Sequence, residues 1–274
     1  MIIGIDIGST ITKAVSIEDG SVIKKIKTRA IDAVTSATGA FGKIILENKI
    51  TMKDIQKIAI TGAGAGKIKS DIFGIPTEKV DEFTAIGIGG MFQAKRDNII
   101  ITNIGTGTVI IQASNNIISH VGGSGVGGGT ILGLSKKLLQ STTFNDIMDM
   151  ADAGNLNQVD LLLEDIVDTE LSFLSKKATA ANFGKMLDGA KNEDIALAII
   201  NMVYQVIGML SVFAARSKNI ETVIVTGSGG DNHLGKKFLL EISKMYNINF
   251  DFPVNAEYTT AIGAGLFAYK NNRQ

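Results

Sequence analysis

Cysteine and tryptophan are both absent from the 274 residues, and proline occurs only twice. Without a thiol the chain forms no disulfide, has no thiolate nucleophile and holds neither zinc nor an iron–sulfur cluster through cysteine. An excess of charge of one sign is lacking too, since 27 Lys and Arg residues balance 27 Asp and Glu residues. No basic face is expected that neutralises many phosphates of a nucleic-acid backbone, so no nucleic-acid partner is expected. The chain is read as having no charge-free apolar run of the roughly 18 to 20 residues that span a bilayer. It opens Met-Ile-Ile-Gly-Ile-Asp, with no basic leader and no small-residue cleavage site. No membrane partner and a cytoplasmic location are the resulting expectations.

What is present is apolar content and glycine. Hydrophobic residues make up 45% of the chain, and the length suits one large domain or two compact α/β lobes. The 31 glycines fall in short clusters, which mark places where backbone turns sharply or approaches a ligand.

Residues 2–6 read as a buried strand, Gly8-Ser9-Thr10 as a tight turn and residues 12–17 as the returning strand. A third strand near 22–28, a helix over about 30–47 and a strand at 57–61 follow. After Pro76 a short strand over 79–83 delivers Glu82 to a helix through Ile86, Gly90 and Phe92, and the first lobe, 1–96, ends there. Residues 98–103, Gly105-Thr106-Gly107 and residues 108–113 then repeat the opening hairpin, which points to an internal duplication. In the second lobe, 97–274, a glycine-saturated loop at 122–129 leads into a helix over about 130–140. Helices dominate from there to residue 218, the longest at 193–216. A strand at 221–226 ends in Gly227-Ser228-Gly229-Gly230, and after a further helix and a strand at 248–252 comes a last helix near 259–270, expected to pack back on the first lobe.

Strands ending in glycine and hydroxyl residues present several N–H donors to one phosphate. A lone glycine turn also closes an ordinary hairpin; it is their recurrence at the ends of successive strands that points to a nucleotide. Asp6 adds a carboxylate suited to Mg²⁺ held through water, and Lys13 lies on the returning strand within reach of a phosphate. The alternatives are a turn-capping carboxylate and a solvated strand lysine. The run at 122–129 followed by a helix predicts an anion-facing helix N-terminus, against a simple linker. Phosphoryl transfer to an alcohol needs a group that accepts the hydroxyl proton, commonly a carboxylate. Glu82 is the candidate, its alternative being a first-turn glutamate that complements the helix dipole. His120 and His233 have no spaced carboxylate and form no metal constellation. In the longest helix Ile195, Ile199, Met202, Val206, Met209 and Phe213 recur at helical spacing, as core or as a dimer surface.

The order of these pieces resembles the actin and sugar-kinase ATPase fold, an α/β architecture of two ribonuclease-H-like lobes with mixed sheets flanked by helices and an ATP cleft between them. More specifically, Asn103-Ile104-Gly105-Thr106-Gly107-Thr108, then Val121-Gly122-Gly123-Ser124-Gly125-Val126-Gly127-Gly128-Gly129, then Ala178-Thr179-Ala180-Ala181-Asn182-Phe183-Gly184, is similar to the type II pantothenate kinases. The resemblance runs almost end to end. It implies transfer of the γ-phosphate of ATP, with Mg²⁺, to the primary hydroxyl of pantothenate, and a homodimer. Carried over by position, the catalytic glutamate falls on Glu82. The nucleotide contacts fall on Asp6, Ile7, Gly8, Ser9, Thr10, Ile11, Thr12 and Lys13, on Gly105, Thr106 and Gly107, on Gly128, Gly129, Thr130, Ile131 and Leu132, and on Phe144, Gly227 and Ser228. Substrate contacts fall on His120, Gly122 and Gly123. Phe144 stands where relatives often carry tyrosine, and His120 where they commonly carry arginine, a change from a permanent bidentate clamp to a single titrating donor. The resemblance leaves a kinase for pantetheine or for an amino sugar as an alternative, although amino-sugar kinases usually place aspartate as base. The opening Gly-Ile-Asp-Ile-Gly-Ser-Thr also resembles activator ATPases of acyl-CoA dehydratases, but those ligate an iron–sulfur cluster through cysteines that this chain lacks.

Overall fold

The computed structural model describes residues 1–115, 117–167 and 175–272. The first half contains β1 (Ile2–Ile7), β2 (Ile11–Glu18), β3 (Ser21–Arg29), α1 (Ala33–Asn48), β4 (Lys57–Thr61), β5 (Thr77–Lys79) and α2 (Glu82–Ala94). The second runs through β6 (Asn98–Ile104), β7 (Thr108–Ser114), β8 (Ile117–Ser124), α3 (Gly128–Leu138), α4 (Phe144–Asp152), β9 (Leu161–Leu162) and β10 (Thr179–Ala181). It closes with α5 (Asn192–Ser217), β11 (Thr222–Thr226), α6 (His233–Tyr246), β12 (Asn249–Asp251) and α7 (Thr259–Asn271).

Each half builds a five-stranded sheet on the same plan. The first has the order β3-β2-β1-β4-β5 and the second β12-β11-β6-β7-β8, an antiparallel meander continued by two parallel strands in both. The reason lies in residue alternation. On β1, Ile3, Ile5 and Ile7 point into a core with Ala37, Phe41 and Ile44 of α1, while Ile2 points into a core with Ala261 and Ile262 of α7. A strand covered on both faces reads as a continuous apolar run, as this one does. Each fully enclosed isoleucine contributes about 1.5 to 3 kcal/mol. Helix α1 starts at residue 33 because the Asp32 carboxylate accepts from the N–H groups of Val34 and Thr35 at 3.0 and 2.9 Å.

In packing, the two halves exchange their last helices. Helix α7 lies on β1, β2 and β4 of the first sheet, whereas α2 lies on β6, β7 and β8 of the second. The break expected between residues 96 and 97 therefore divides the sequence, while Ile86 of α2 shares a core with Ile99, Ile101 and Ile111 of the second sheet. Where α2 and α7 meet, their backbones nearly touch: a Cβ at Gly263 would run into the Ala85 carbonyl, and one at Gly89 into the Thr259 carbonyl.

Four expectations need correction. The strand expected over 79–83 ends at Lys79, because Asp81 caps α2 and draws Glu82 and Phe83 into its first turn. Gly122, Gly123 and Ser124, expected in a loop, finish β8, with Gly122 opposite Ile110 and Gly123 opposite Val109 beyond a register shift. Between α4 and α5 the chain forms turns, two single-turn 3-10 helices and the short β9–β10 pair rather than α-helices, and residues 168–174 of that stretch lie outside the described residues. Helix α5 is long and apolar enough to cross a membrane by length and composition alone, against the expectation that no such run exists. In this fold 61% of its most apolar window is buried, with Ile199, Val203 and Ile207 in the second core.

Replacing Gly263 with alanine is expected to lower stability by about 1 to 3 kcal/mol, measured as a drop in the urea midpoint. Gly39→Ala is the control, because a Cβ there meets nothing within 4 Å, and it should leave stability unchanged or raise it by up to about 1 kcal/mol, with no drop in the midpoint.

Candidate active site

A cavity of about 720 Å³ lies between the two halves, within the usual size of a small-molecule site. Its walls carry Asp6, Gly8, Ser9, Thr10, Ile11 and Lys13 from the first hairpin and Gly105, Thr106, Gly107 and Thr108 from the second. Gly128, Gly129, Ile131 and Leu132 of α3, Phe144 of α4, the loop residues Gly227 and Ser228, and Glu82 complete the sequence-predicted set on this wall.

The carboxylates sit at the first-sheet end. Asp6 of β1 faces Lys13 across the β1–β2 ladder and Thr61 across β1–β4, so the three side chains share one sheet face. Burial pushes the Asp6 carboxyl up, and the Lys13 ammonium partly offsets this. Glu82 opens α2 directly after its cap, where the Asp81 carboxylate accepts from Thr84 N at 2.9 Å. Burial holds the Glu82 carboxyl above its ordinary range, and the neighbouring charges of Asp6 and Asp81 add to the shift. Such a group retains its proton to higher pH than a surface glutamate, and once ionised it is a stronger base.

The two phosphate-type turns meet across the cleft, with Ser9 Oγ and Thr106 Oγ1 2.8 Å apart. The second turn is held from behind. Gly128 and Gly129 N–H donate to the carbonyls of Gly105 and Thr106, both at 2.9 Å. This corrects the expectation of an anion-facing N-terminus on α3: those first-turn donors grip the neighbouring loop instead of pointing at a ligand. Thr130 likewise turns away from the cavity, its Oγ1 accepting from Gly127 N and donating to the Gly125 carbonyl. Ile7 and Thr12 are also off the wall. They pair across β1–β2 on the face opposite to Asp6, Ile7 in the core under α1 and Thr12 fully buried.

At the far end, Gly227 takes φ +80°, a conformation that suits glycine, and a Cβ there would collide with the Ile104 carbonyl. Thr226 Oγ1 donates to Asn103 Oδ1 at 3.0 Å, which ties β11 to β6 just before their loops. Tyr204 of α5, 1% exposed, donates its hydroxyl to the Gly229 carbonyl at 2.7 Å. Burial, with Asp231 nearby, pushes that phenol far up, so it stays a donor at any working pH. Phe144, expected near the end of the helix that follows the glycine-rich loop, instead opens the separate helix α4, since α3 ends at Leu138.

The Fumble family profile matches residues 91–250, more than half of the chain. A type II pantothenate kinase from Bacillus anthracis is 33% identical over 278 aligned residues, which cover 97% of this chain and 97% of that protein. This chain belongs to the type II pantothenate kinase family. Among solved structures, the activator of 2-hydroxyisocaproyl-CoA dehydratase from Clostridium difficile, with bound ADPNP, aligns over 99% of this chain and 95% of its own at a TM-score of 0.69 and 19% identity. A ROK family glucokinase from Streptomyces griseus, in complex with glucose and AMPPNP, aligns over 98% of this chain and 99% of its own at a TM-score of 0.62 and 13% identity. At those identities the likeness establishes the two-lobed ATPase fold.

In this member of the family the three substrate calls lie outside the cavity wall. Gly122 and Gly123 are strand residues. His120 stacks on Phe83 with ring centroids 4.6 Å apart and planes 5° from parallel, one residue from Glu82. The cavity also holds residues that sequence reasoning missed: Lys27 and Glu257, paired at 3.0 Å, and Tyr204, Asn145 and Met148. Lys27 had no signal, because a register shift between Ser16 and Ile17 is what brings it opposite Lys13 across β2–β3; Tyr204 had none either, because it falls within the apolar stripe of a core helix. For Mg²⁺ the donor set fits an ion that keeps its waters. Among the described residues no group of three or more His, Asp or Glu side chains is placed to hold a metal. Asp6 supplies one carboxylate, and the buried Thr61 hydroxyl beside it has no partner among the described residues.

Asp81→Asn keeps the helix cap, because asparagine caps as well as aspartate, and removes one of the two charges that raise Glu82. The Glu82 carboxyl, followed by ¹³C NMR, is expected to titrate at lower pH in the variant. Titration at an unchanged pH would show that the Asp81 charge does not reach it.

Proposed function

We propose that this protein transfers the γ-phosphate of ATP to the primary hydroxyl of pantothenate, the first committed step toward coenzyme A, in the cytoplasm. The observation that carries the reading is Glu82, a half-buried carboxylate held near Asp6 and facing the cleft where the turns of both lobes meet. The triphosphate lies between Gly8-Ser9-Thr10 and Gly105-Thr106-Gly107, with Lys13 neutralising phosphate charge from the first sheet. Mg²⁺ at Asp6 supplies the remaining neutralisation of the phosphates. The adenosine lies toward Gly227, Ser228 and Phe144. Ionised Glu82 accepts the proton of the attacking hydroxyl and orients its oxygen in line with the γ-phosphorus; as that bond forms, the bond to the β–γ bridging oxygen breaks, ADP leaves, and the proton ends on the carboxylate. The acceptor's carboxylate extends past the cavity wall toward His120, which is held flat on Phe83 beside this base and offers a hydrogen-bond donor there.

ATP consumption by the purified protein is expected with pantothenate and not with an amino sugar, with pantetheine as the third acceptor in the screen. Glu82→Gln is expected to lower kcat by about 10²- to 10⁴-fold while ATP affinity by calorimetry stays the same. Turnover of an amino sugar in place of pantothenate, or full activity in the Gln variant, would sink the assignment.

The protein works as a homodimer through α5. Met202, Val206, Met209, Leu210 and Phe213 form a stripe on its outer face, with Phe213 58% and Val206 37% exposed. Phe213→Glu is expected to halve the mass measured by light scattering; a monomeric wild type would remove this proposal.

A further inference from the structure

The end of the cleft between α4 and α6 is lined by polar side chains whose hydrogen-bonding groups are mostly engaged already. Tyr204 donates to the Gly229 carbonyl at 2.7 Å. Asn232 uses both ends of its amide: Oδ1 accepts from Gly235 N at 2.8 Å, and Nδ2 lies 3.2 Å from Met148 Sδ. His233 Nε2 is bonded to Asp152 Oδ1 at 2.6 Å. Two polar side chains on this wall remain without a partner among the described residues, Ser228 on the loop and Asn145 on α4.

These two differ in what they are able to read. A hydroxyl rotates and both donates and accepts, so it accommodates a 6-amino or a 6-oxo purine equally. An asparagine amide sets one donor and one acceptor side by side in a plane, which matches the N6–H and N7 of adenine and mismatches the O6 and N7 acceptors of guanine. Position favours the same residue. Asn145 and Met148 are three apart in α4 and share a face. The Met148–Asn232 contact leaves no room for a ring between α4 and α6 at that level. A base entering the slot therefore stops one turn nearer the start of α4, beside Asn145 and next to Phe144.

We infer that Asn145 is the residue that selects adenine over guanine, by pairing its side-chain amide with the purine N6 and N7. The inference rests on the nucleotide placement proposed above and adds the specificity determinant for that substrate. Tyr204, Asn232 and His233 build the slot, and Asn145 reads what enters it.

The test is titration of the full chain with ATP and with GTP by calorimetry, for the wild type and for Asn145→Ala. The wild type is expected to prefer ATP. The variant is expected to bind ATP roughly tenfold more weakly, with GTP binding and the melting temperature little changed, so that the ATP-to-GTP ratio contracts by that factor. A wild type that binds both nucleotides equally, or a variant that keeps the wild-type ratio, overturns the role of Asn145 and leaves the kinase reading standing. A wild type that binds neither nucleotide overturns the kinase reading itself.

Discussion

The contact between α2 and α7 is the constraint from which the rest of the site follows. Two helices, each last in its half of the chain, cross so closely that Gly89 and Gly263 leave room only for backbone. A pair of helices with ordinary side chains at these positions would stand further apart, at the usual 8 to 10 Å between axes or more. The close crossing lets α7 cover the first sheet and α2 cover the second. It also fixes the start of α2, and with it Glu82, at the same cleft as Asp6 of β1. Electrostatics at Glu82 depends on this, since Asp6 is one of the charges that hold its carboxyl up.

The loops around the cleft are prepared by the protein before any ligand arrives. Helix α3 holds the second turn through its own first N–H groups, and Tyr204 holds the third loop through one hydroxyl. Donors used in this way do not touch a phosphate, yet they remove the freedom of the backbone that would, and order established in the fold need not be established on binding. The 2.8 Å contact between Ser9 and Thr106 brings the first turn to the second across the two halves. A single phosphate group is thus within reach of both lobes.

His120 lies on an edge strand and is held flat by Phe83, which follows Glu82 directly in sequence. Any substrate group that bonds to His120 is therefore tied to the position of Glu82 through one aromatic contact. The imidazole offers a single N–H toward a given partner, where an arginine would offer two.

The sequence by itself determined the two-lobed class, the duplicated hairpins and the approximate extents of the apolar elements, because alternation, helical spacing and glycine at strand ends are local signals. Residues 57–61 show this most simply, reading as the strand that β4 forms. It also singled out Glu82, Asp6 and Lys13, which line the cleft, since an acid or a base within an apolar stretch is conspicuous one residue at a time. Only the tertiary structure decided which donors face the cleft. Gly128 and Gly129 look like phosphate binders in sequence, and their N–H groups meet the Gly105 and Thr106 carbonyls instead. Tyr204 and Asn145 join the site from helices that no motif marks, and α2 leaves its own half to lie on the other sheet. Those outcomes are set by long-range packing: a hydrogen bond goes to whichever partner the fold brings within 3 Å, and no local pattern records that partner's address.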